Sequence, residues 1–150
     1  MGAPSAPSAS PGLAPVVPAE LEELVDSFDR LSSRLVLLSG PALEELRSAI
    51  GALDRAVRLH VARGSAAAER RASGSAAEVE HERFLVSLDQ LWWFYGIVAG
   101  DDHGGHRQAL GQYGRLVTEA LRRHLAEERE NAAGAGAAAP PAAGGVSAKR

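Results

Sequence analysis

The segment PAELEELVDSFDRLSSRLVLLSGP, residues 18–41, decides the fold class that we expect. Its apolar side chains recur three and four positions apart, at Leu21, Leu24, Phe28, Leu31, Leu35 and Leu38. That spacing puts them along one face of an α-helix. Glutamates lead the segment and arginines follow, as the helix dipole favours, and Ser39-Gly40-Pro41 ends it. The segment therefore predicts a helix over about residues 18–38, followed by a short turn.

Three further segments of the chain carry the same helical periodicity. They predict helices over about residues 41–62, 76–99 and 105–130. The connections after the first and third helices are short, which makes those pairs antiparallel, and residues 63–75 predict a flexible loop. We therefore expect an all-α fold, an antiparallel up-down four-helix bundle. Two alternatives are that the first two helices form a long hairpin against a partner, or that the whole chain is half of an intermolecular bundle.

The two ends of the chain differ in composition from the helical part. Residues 1–17 are rich in Pro, Ser, Ala and Gly and carry no charge, and residues 132–150 are rich in Ala, Gly and Pro. Such segments lack the apolar side chains that would offset the entropic cost of ordering them. We expect two disordered tails that flank one helical domain over residues 18–131.

Composition disfavours several classes of function. The chain of 150 residues has no cysteine, which rules out a disulfide framework, a thiol nucleophile and a thiolate metal site. Its formal net charge of −3 argues against nucleic-acid binding, which needs a basic surface. The apolar run over residues 91–99 is about half of the roughly 20 residues that a membrane helix needs, and no secretory signal precedes it. We expect a soluble cytoplasmic protein, and a nuclear location is compatible with the same features.

The stretch LWWFYGIVAGDDHGGH, residues 91–106, holds four of the seven aromatic residues of the chain. At about 100° per residue, Val86, Trp93 and Ile97 lie opposite the main apolar face of the third helix, with Phe94 beside them. Large exposed apolar patches mark contact surfaces. We therefore predict that these four residues bind another protein chain, either a second copy or a different subunit. The alternative is that this helix is buried on all sides.

The end of that stretch, GDDHGGH over residues 100–106, reads as a connection between two helices. Gly100 can close the third helix, and Asp101 or Asp102 can cap the fourth. A metal or phosphate loop that uses His103 and His106 is the less favoured interpretation, because their spacing matches no established motif.

Three other histidines come together in the predicted topology. His60 lies near the end of the second helix, His81 near the start of the third and His124 late in the fourth. In an antiparallel bundle these positions share one end. Glu78 precedes His81 by three residues and Glu128 follows His124 by four, so each pair shares a helix face. Inward-facing sets of this kind hold metal ions in helical bundles.

The sequence HLAEE, residues 124–128, resembles a fragment of the hemerythrin-type bundle, in which a histidine and a glutamate four residues apart bind iron. The resemblance implies a metal-binding bundle, with a di-iron centre as one form of it. It covers five residues, and the chain departs from the di-iron pattern because the third helix offers one Glu-x-x-His motif where di-iron proteins use two.

Two interpretations of function remain open. The first is a non-enzymatic helical protein–protein interaction module, a small adaptor or complex subunit that needs no cofactor and binds no transition metal tightly. The chain has no catalytic triad spacing, P-loop or dinucleotide motif, and histidines near bundle ends often cap a core. The alternative is a hemerythrin-like metal-binding bundle, whose predicted ligands are His60, Glu78, His81, His124 and Glu128.

Overall fold

The computed structural model describes residues 19–37, 41–69 and 76–137. They form four helices: α1 over Ala19–Val36, α2 over Leu43–Glu69, α3 over Ala76–Gly100 and α4 over Gly104–Ala137. No strand occurs among these residues. The predicted all-α fold of four helices is therefore confirmed. None of the described helices is long and apolar enough to cross a membrane.

Each helix packs against two others, and neighbouring helices run antiparallel. α1 and α3 each contact α2 and α4, and the α1–α4 contact is the most extensive. Side-chain pairs show the directions, because residue numbers rise along one helix while they fall along its neighbour. These pairs are Asp26–Arg122 and Asp29–Thr118 between α1 and α4, Asp54–Trp92 and Arg58–Asp89 between α2 and α3, and Glu80–His124 and Gln90–Tyr113 between α3 and α4.

The core runs the length of the bundle and uses the predicted apolar faces. Its fully buried side chains come from all four helices: Leu21, Val25, Leu35, Leu46, Ile50, Leu53, Val57, Leu88, Leu91, Leu110, Leu121 and Leu125. Val25 was not among the predicted positions of α1, where Leu24 is only half-buried. The buried stripe of α1 is wider than one seam because this helix packs against both α2 and α4.

Two glycines explain the close approach of α1 and α4. A Cβ atom at Gly111 would lie 2.7 Å from the backbone oxygen of Ser32, and one at Gly114 would lie 2.4 Å from the Ser32 hydroxyl oxygen. A side chain at Gly111 would push the backbone of α1 away, and one at Gly114 would have to displace the side chains of Ser32 and Phe28. Glycine costs a helix about 1 kcal/mol relative to alanine, and here that cost is offset by packing between the two helices.

Two helices are longer than predicted. α2 continues to Glu69, seven residues into the segment 63–75 that we expected to be a loop, and α4 continues to Ala137, into the expected tail. Alanine has the highest helix propensity, and both extensions are rich in it, which outweighs the glycines they contain. The expected tail over residues 1–17, the rest of the loop at 70–75 and the tail beyond residue 137 lie outside the described residues.

Candidate metal centre

Four side chains from three helices meet at one end of the bundle. His60 comes from the last part of α2, His81 from the second turn of α3, and His124 and Glu128 from consecutive turns of α4. One ligand atom from each lies within 4.8 Å of all the others, and the three histidines are buried. The antiparallel topology brings these ends together, as predicted from the sequence. We call this group the histidine cluster.

The spacing of the ligand atoms fits a tetrahedral ion. The Nε2 atoms of His81 and His124 lie 3.2 Å apart, and Glu128 Oε1 lies 3.1 Å from His124 Nε2 and 3.8 Å from His81 Nε2. The other oxygen of Glu128, Oε2, lies 3.3 Å from His60 Nε2. Ligands about 2.0–2.1 Å from a tetrahedral zinc ion are about 3.4 Å from one another. The four measured separations, from 3.1 to 3.8 Å, are therefore close to the distance between neighbouring ligands of a tetrahedral site.

An outer carboxylate orients one of the histidines. His124 Nδ1 lies 2.7 Å from Glu80 Oε2, so this nitrogen carries a proton and donates it to the carboxylate. In neutral His124 the Nε2 lone pair then faces His81 and Glu128. A carboxylate that accepts a hydrogen bond from a metal-binding imidazole fixes its tautomer and raises its basicity.

Two nitrogens of the cluster are buried and lack a hydrogen-bond partner among the described residues: His60 Nε2 and His81 Nδ1. His60 Nε2 lies near Glu128 without the alignment of a hydrogen bond, and it points into the cluster. Buried polar atoms without a partner are rare, because desolvation costs free energy that nothing returns. Coordination of an ion would satisfy the His60 nitrogen.

The electrostatics of the cluster favour a charged Glu128. Burial by itself would raise the pKa of Glu128, but the adjacent imidazoles of His124, His60 and His81 outweigh burial and hold that pKa far below its usual range. Burial by itself would lower the pKa of His124, but its bonds to Glu128 and Glu80 outweigh burial and raise that pKa. The metal-free cluster thus holds an ionised Glu128 beside His124, whose protonated form it favours, and a cation that binds there would displace that proton.

Gly64 makes room for His81. It lies four residues after His60, on the same face of α2, and a Cβ atom there would lie 2.5 Å from His81 Cε1 and 3.2 Å from His81 Nδ1. No side chain other than hydrogen fits beside the His81 ring in this position. We had placed Gly64 in a flexible loop, and the structure places it in α2, where it shapes the cluster.

The structure brings together four of the five residues that the sequence suggested as metal ligands. Glu78, which we expected as a ligand, is half-buried and is not part of the cluster, whereas Glu80 reaches His124. The signal for Glu80 was its place beside His81 in the sequence. That signal is weak, because helical spacing alone did not show which side of α3 faces α4.

A second group of potential ligands lies between α3 and α4, formed by Asp101, His103 and His106. His103 Nδ1 accepts hydrogen bonds from the backbone N–H of Gly105 at 3.1 Å and of His106 at 3.4 Å. His103 thereby caps α4, where we had expected Asp101 or Asp102 to do so. Asp102 instead binds Arg107, whose hydrogen bond lowers the pKa of the carboxyl. The predicted helix connection accounts for this group.

The predicted partner-binding residues divide into two pairs. Val86 and Trp93 are exposed, at 56% and 64%, on the outer face of α3. Phe94 and Ile97 are half-buried, and the Phe94 ring packs against Tyr113 of α4. Trp92 turns inward, and its indole N–H donates to Asp54 at 3.4 Å. The outer face of α3 is therefore apolar at its centre, as the sequence indicated.

In comparisons of the chain with protein-family models, curated proteins and solved structures, nothing matches it.

Proposed function

We propose that this protein is a metal-binding helical bundle that holds one divalent transition-metal ion, with zinc as the best fit. The single observation that carries the proposal is the convergence of three imidazole Nε2 atoms and one carboxylate from α2, α3 and α4 at the spacing of a tetrahedral site. The proposal favours the alternative interpretation of the sequence over the interaction module.

The donor set argues for a single ion over a pair. Three nitrogens and one oxygen complete a four-coordinate zinc site, and imidazole with carboxylate suits zinc among the divalent metals. A di-iron centre needs carboxylates that bridge the two metals. Within the described part of the chain, this group contains one carboxylate from four ligands, and Glu80 binds the outer nitrogen of His124.

The position of the site supports a structural role. An ion bound there would link α2, α3 and α4 at this end of the bundle. When all four coordination positions are protein ligands, none remains for a substrate, as in structural zinc sites. The ion would therefore stabilise the fold, and binding and folding would be coupled. Such a role agrees with the expectation that the protein is not an enzyme.

The proposal is tested with protein purified without an affinity tag. We expect elemental analysis after zinc loading to give one ion per chain, and cobalt substitution to give the strong visible absorption of a tetrahedral site. His81→Ala and Glu128→Ala should each abolish both signals. The matched control is the double variant His103→Ala/His106→Ala, which removes the second histidine pair and should keep both signals. Zinc binding that survives His81→Ala, or no zinc binding in the unmodified chain, would refute the proposal.

The interaction module remains a prediction. The observation that favours it is the exposure of Trp93 and Val86 on the face of α3 that points away from His81. A partner on that face would not compete with a metal ion in the histidine cluster.

A further inference from the structure

The outer face of α3 carries a straight apolar stripe. Val79, Val86 and Trp93 are 53%, 56% and 64% exposed, and they follow one another at intervals of seven residues. A seven-residue interval advances a helix by nearly two whole turns, so these side chains form one line along its axis. Burial of large apolar side chains is favourable, so a line of three exposed ones favours a covering surface.

The two sides of the stripe differ in charge. With Val86 at the centre, Glu78, Glu82 and Asp89 lie along one side, whereas Arg83 and Gln90 lie along the other. Asp89 is held in place by Arg58 of α2, at 2.9 Å, and Gln90 by the hydroxyl of Tyr113 of α4. The stripe is therefore bordered by an acidic side and by a basic or neutral side.

This asymmetry decides how two copies of α3 can pair. In an antiparallel pair each side of a stripe faces the same side of its counterpart, which would set Glu82 against Asp89 of the second copy. In a parallel pair the acidic side faces the other side, so Glu82 meets Arg83 of the second copy at nearly the same height. Asp89 meets Gln90 of the second copy in the same way. Charges that flank an apolar seam set the orientation of helix pairs by this mechanism.

We propose that the protein forms a two-fold symmetric dimer in which α3 of one copy packs in parallel against α3 of the other. Each residue of the stripe meets its own counterpart, and two Arg83–Glu82 pairs border the seam. The occupant of the surface is a second copy because the stripe carries its own electrostatic complement. The proposal is independent of the proposed metal site, which lies on the opposite side of α3.

The first test is the mass of the protein in solution, measured by sedimentation equilibrium over a range of concentrations. Trp93→Glu should raise the dimer dissociation constant about 30-fold or more, as expected for a hot-spot residue. The matched control is Leu116→Glu on α4, since Leu116 is 63% exposed but lies outside the stripe. It should leave the dissociation constant unchanged. Both variants should retain helicity and zinc stoichiometry.

The second test determines the relative orientation of the two α3 helices from disulfide formation. The chain contains no cysteine, so only the introduced residue can form a disulfide. In the parallel dimer Val79→Cys and Val86→Cys should each form an intermolecular disulfide under mild oxidation. In an antiparallel pair centred on Val86, Val79 would face Trp93, so only Val86→Cys would cross-link.

Four outcomes overturn the proposal. A monomer at every concentration does so, as does equal weakening by Trp93→Glu and Leu116→Glu, which would indicate unspecific association. Cross-linking of Val86→Cys alone refutes the parallel arrangement. A monomer whose stability falls in Trp93→Glu would show that another part of the same chain covers the stripe.

Discussion

The two groups of histidines in this protein have similar composition and opposite character. The histidine cluster draws its members from three helices, buries them, and sets a further carboxylate behind His124. The Asp101–His106 group comes from one connection, is largely exposed, and uses the Nδ1 atoms of both histidines for contacts within that connection. Proximity of histidine and carboxylate side chains is therefore not enough to indicate a metal site. Burial of several imidazoles around one point must be compensated, whereas an exposed group is solvated by water.

The largest expected effect is on stability. Zinc at a thousandfold excess over its dissociation constant should stabilise the fold by about 4 kcal/mol, and a chelator should remove this gain. Denaturant titration with and without zinc measures it. His81→Ala/His124→Ala should show no gain, while His103→Ala/His106→Ala should show the full gain. If both double variants lost the zinc-dependent gain in stability equally, zinc binding would not distinguish the histidine cluster from the group at Asp101–His106.

A single added methyl group should disturb the cluster next most strongly. Gly64→Ala places a Cβ atom 2.5 Å from the present position of His81 Cε1, so the ring must move away from His60 and Glu128. We expect zinc affinity to fall by about 100-fold, the upper end of what the loss of an outer-shell partner costs. Competition with a chromogenic chelator measures the change.

The matched control for that change is Gly96→Ala, because no atom of the described residues would lie within 4 Å of a Cβ atom at Gly96 of α3. This substitution should leave zinc affinity unaltered and stabilise α3 slightly, since alanine is the better helix former. If Gly64→Ala kept wild-type affinity, His81 would not need its present position to bind metal.

Loss of the outer carboxylate should have a smaller effect. Glu80→Ala frees His124 to rotate and to change its tautomer, so we expect zinc affinity to fall by about 10- to 100-fold. Glu78→Ala, two residues away on the same helix, should leave the affinity unchanged, and isothermal titration of both variants measures the difference. If Glu78→Ala weakened zinc binding more than Glu80→Ala did, Glu78 would be a metal ligand, as the sequence predicted.

The smallest expected effect is a pH dependence whose sign differs between the metal-free and the zinc-bound protein. The folded state raises the pKa of His124 above 6.5. Its contribution to the free energy of unfolding is therefore complete below pH 6.5 and is lost as pH rises through the raised pKa. The folded state lowers the pKa of Glu128 below 4.5. Its contribution to the free energy of unfolding is therefore present above pH 4.5 and is lost only as pH falls through the lowered pKa. The metal-free cluster therefore stabilises most between about pH 4.5 and 6.5.

Zinc should reverse this trend above pH 6.5, since an ion competes with protons for the imidazoles and binds more tightly as pH rises. Urea denaturation at mildly acidic and mildly alkaline pH, with and without zinc, measures both slopes. Removal of His103 should change neither. If the free energy of unfolding changed with pH in the same way with and without zinc, the ion would not bind at His124.

The local sequence determined the helices and largely determined which of their side chains point toward the core. The three- and four-residue spacing from Leu21 to Leu35 predicted α1, and the exposed position of Trp93 opposite Leu88 followed from the same periodicity. This works because the α-helix has a fixed rotation per residue, so a side chain's direction depends only on its own segment. The antiparallel order of four helices then implied that His60, His81 and His124 share one end.

The fine structure of the cluster depended on the tertiary structure. Local composition at Gly64 predicted a loop, but the helix continues and uses the missing side chain of this glycine to admit the His81 ring. The choice of Glu80 over Glu78 depends on how far α3 is rotated and shifted against α4. Packing of the whole core sets these two quantities, since interlocking side chains on all four helices must fit at once, and no single segment encodes them.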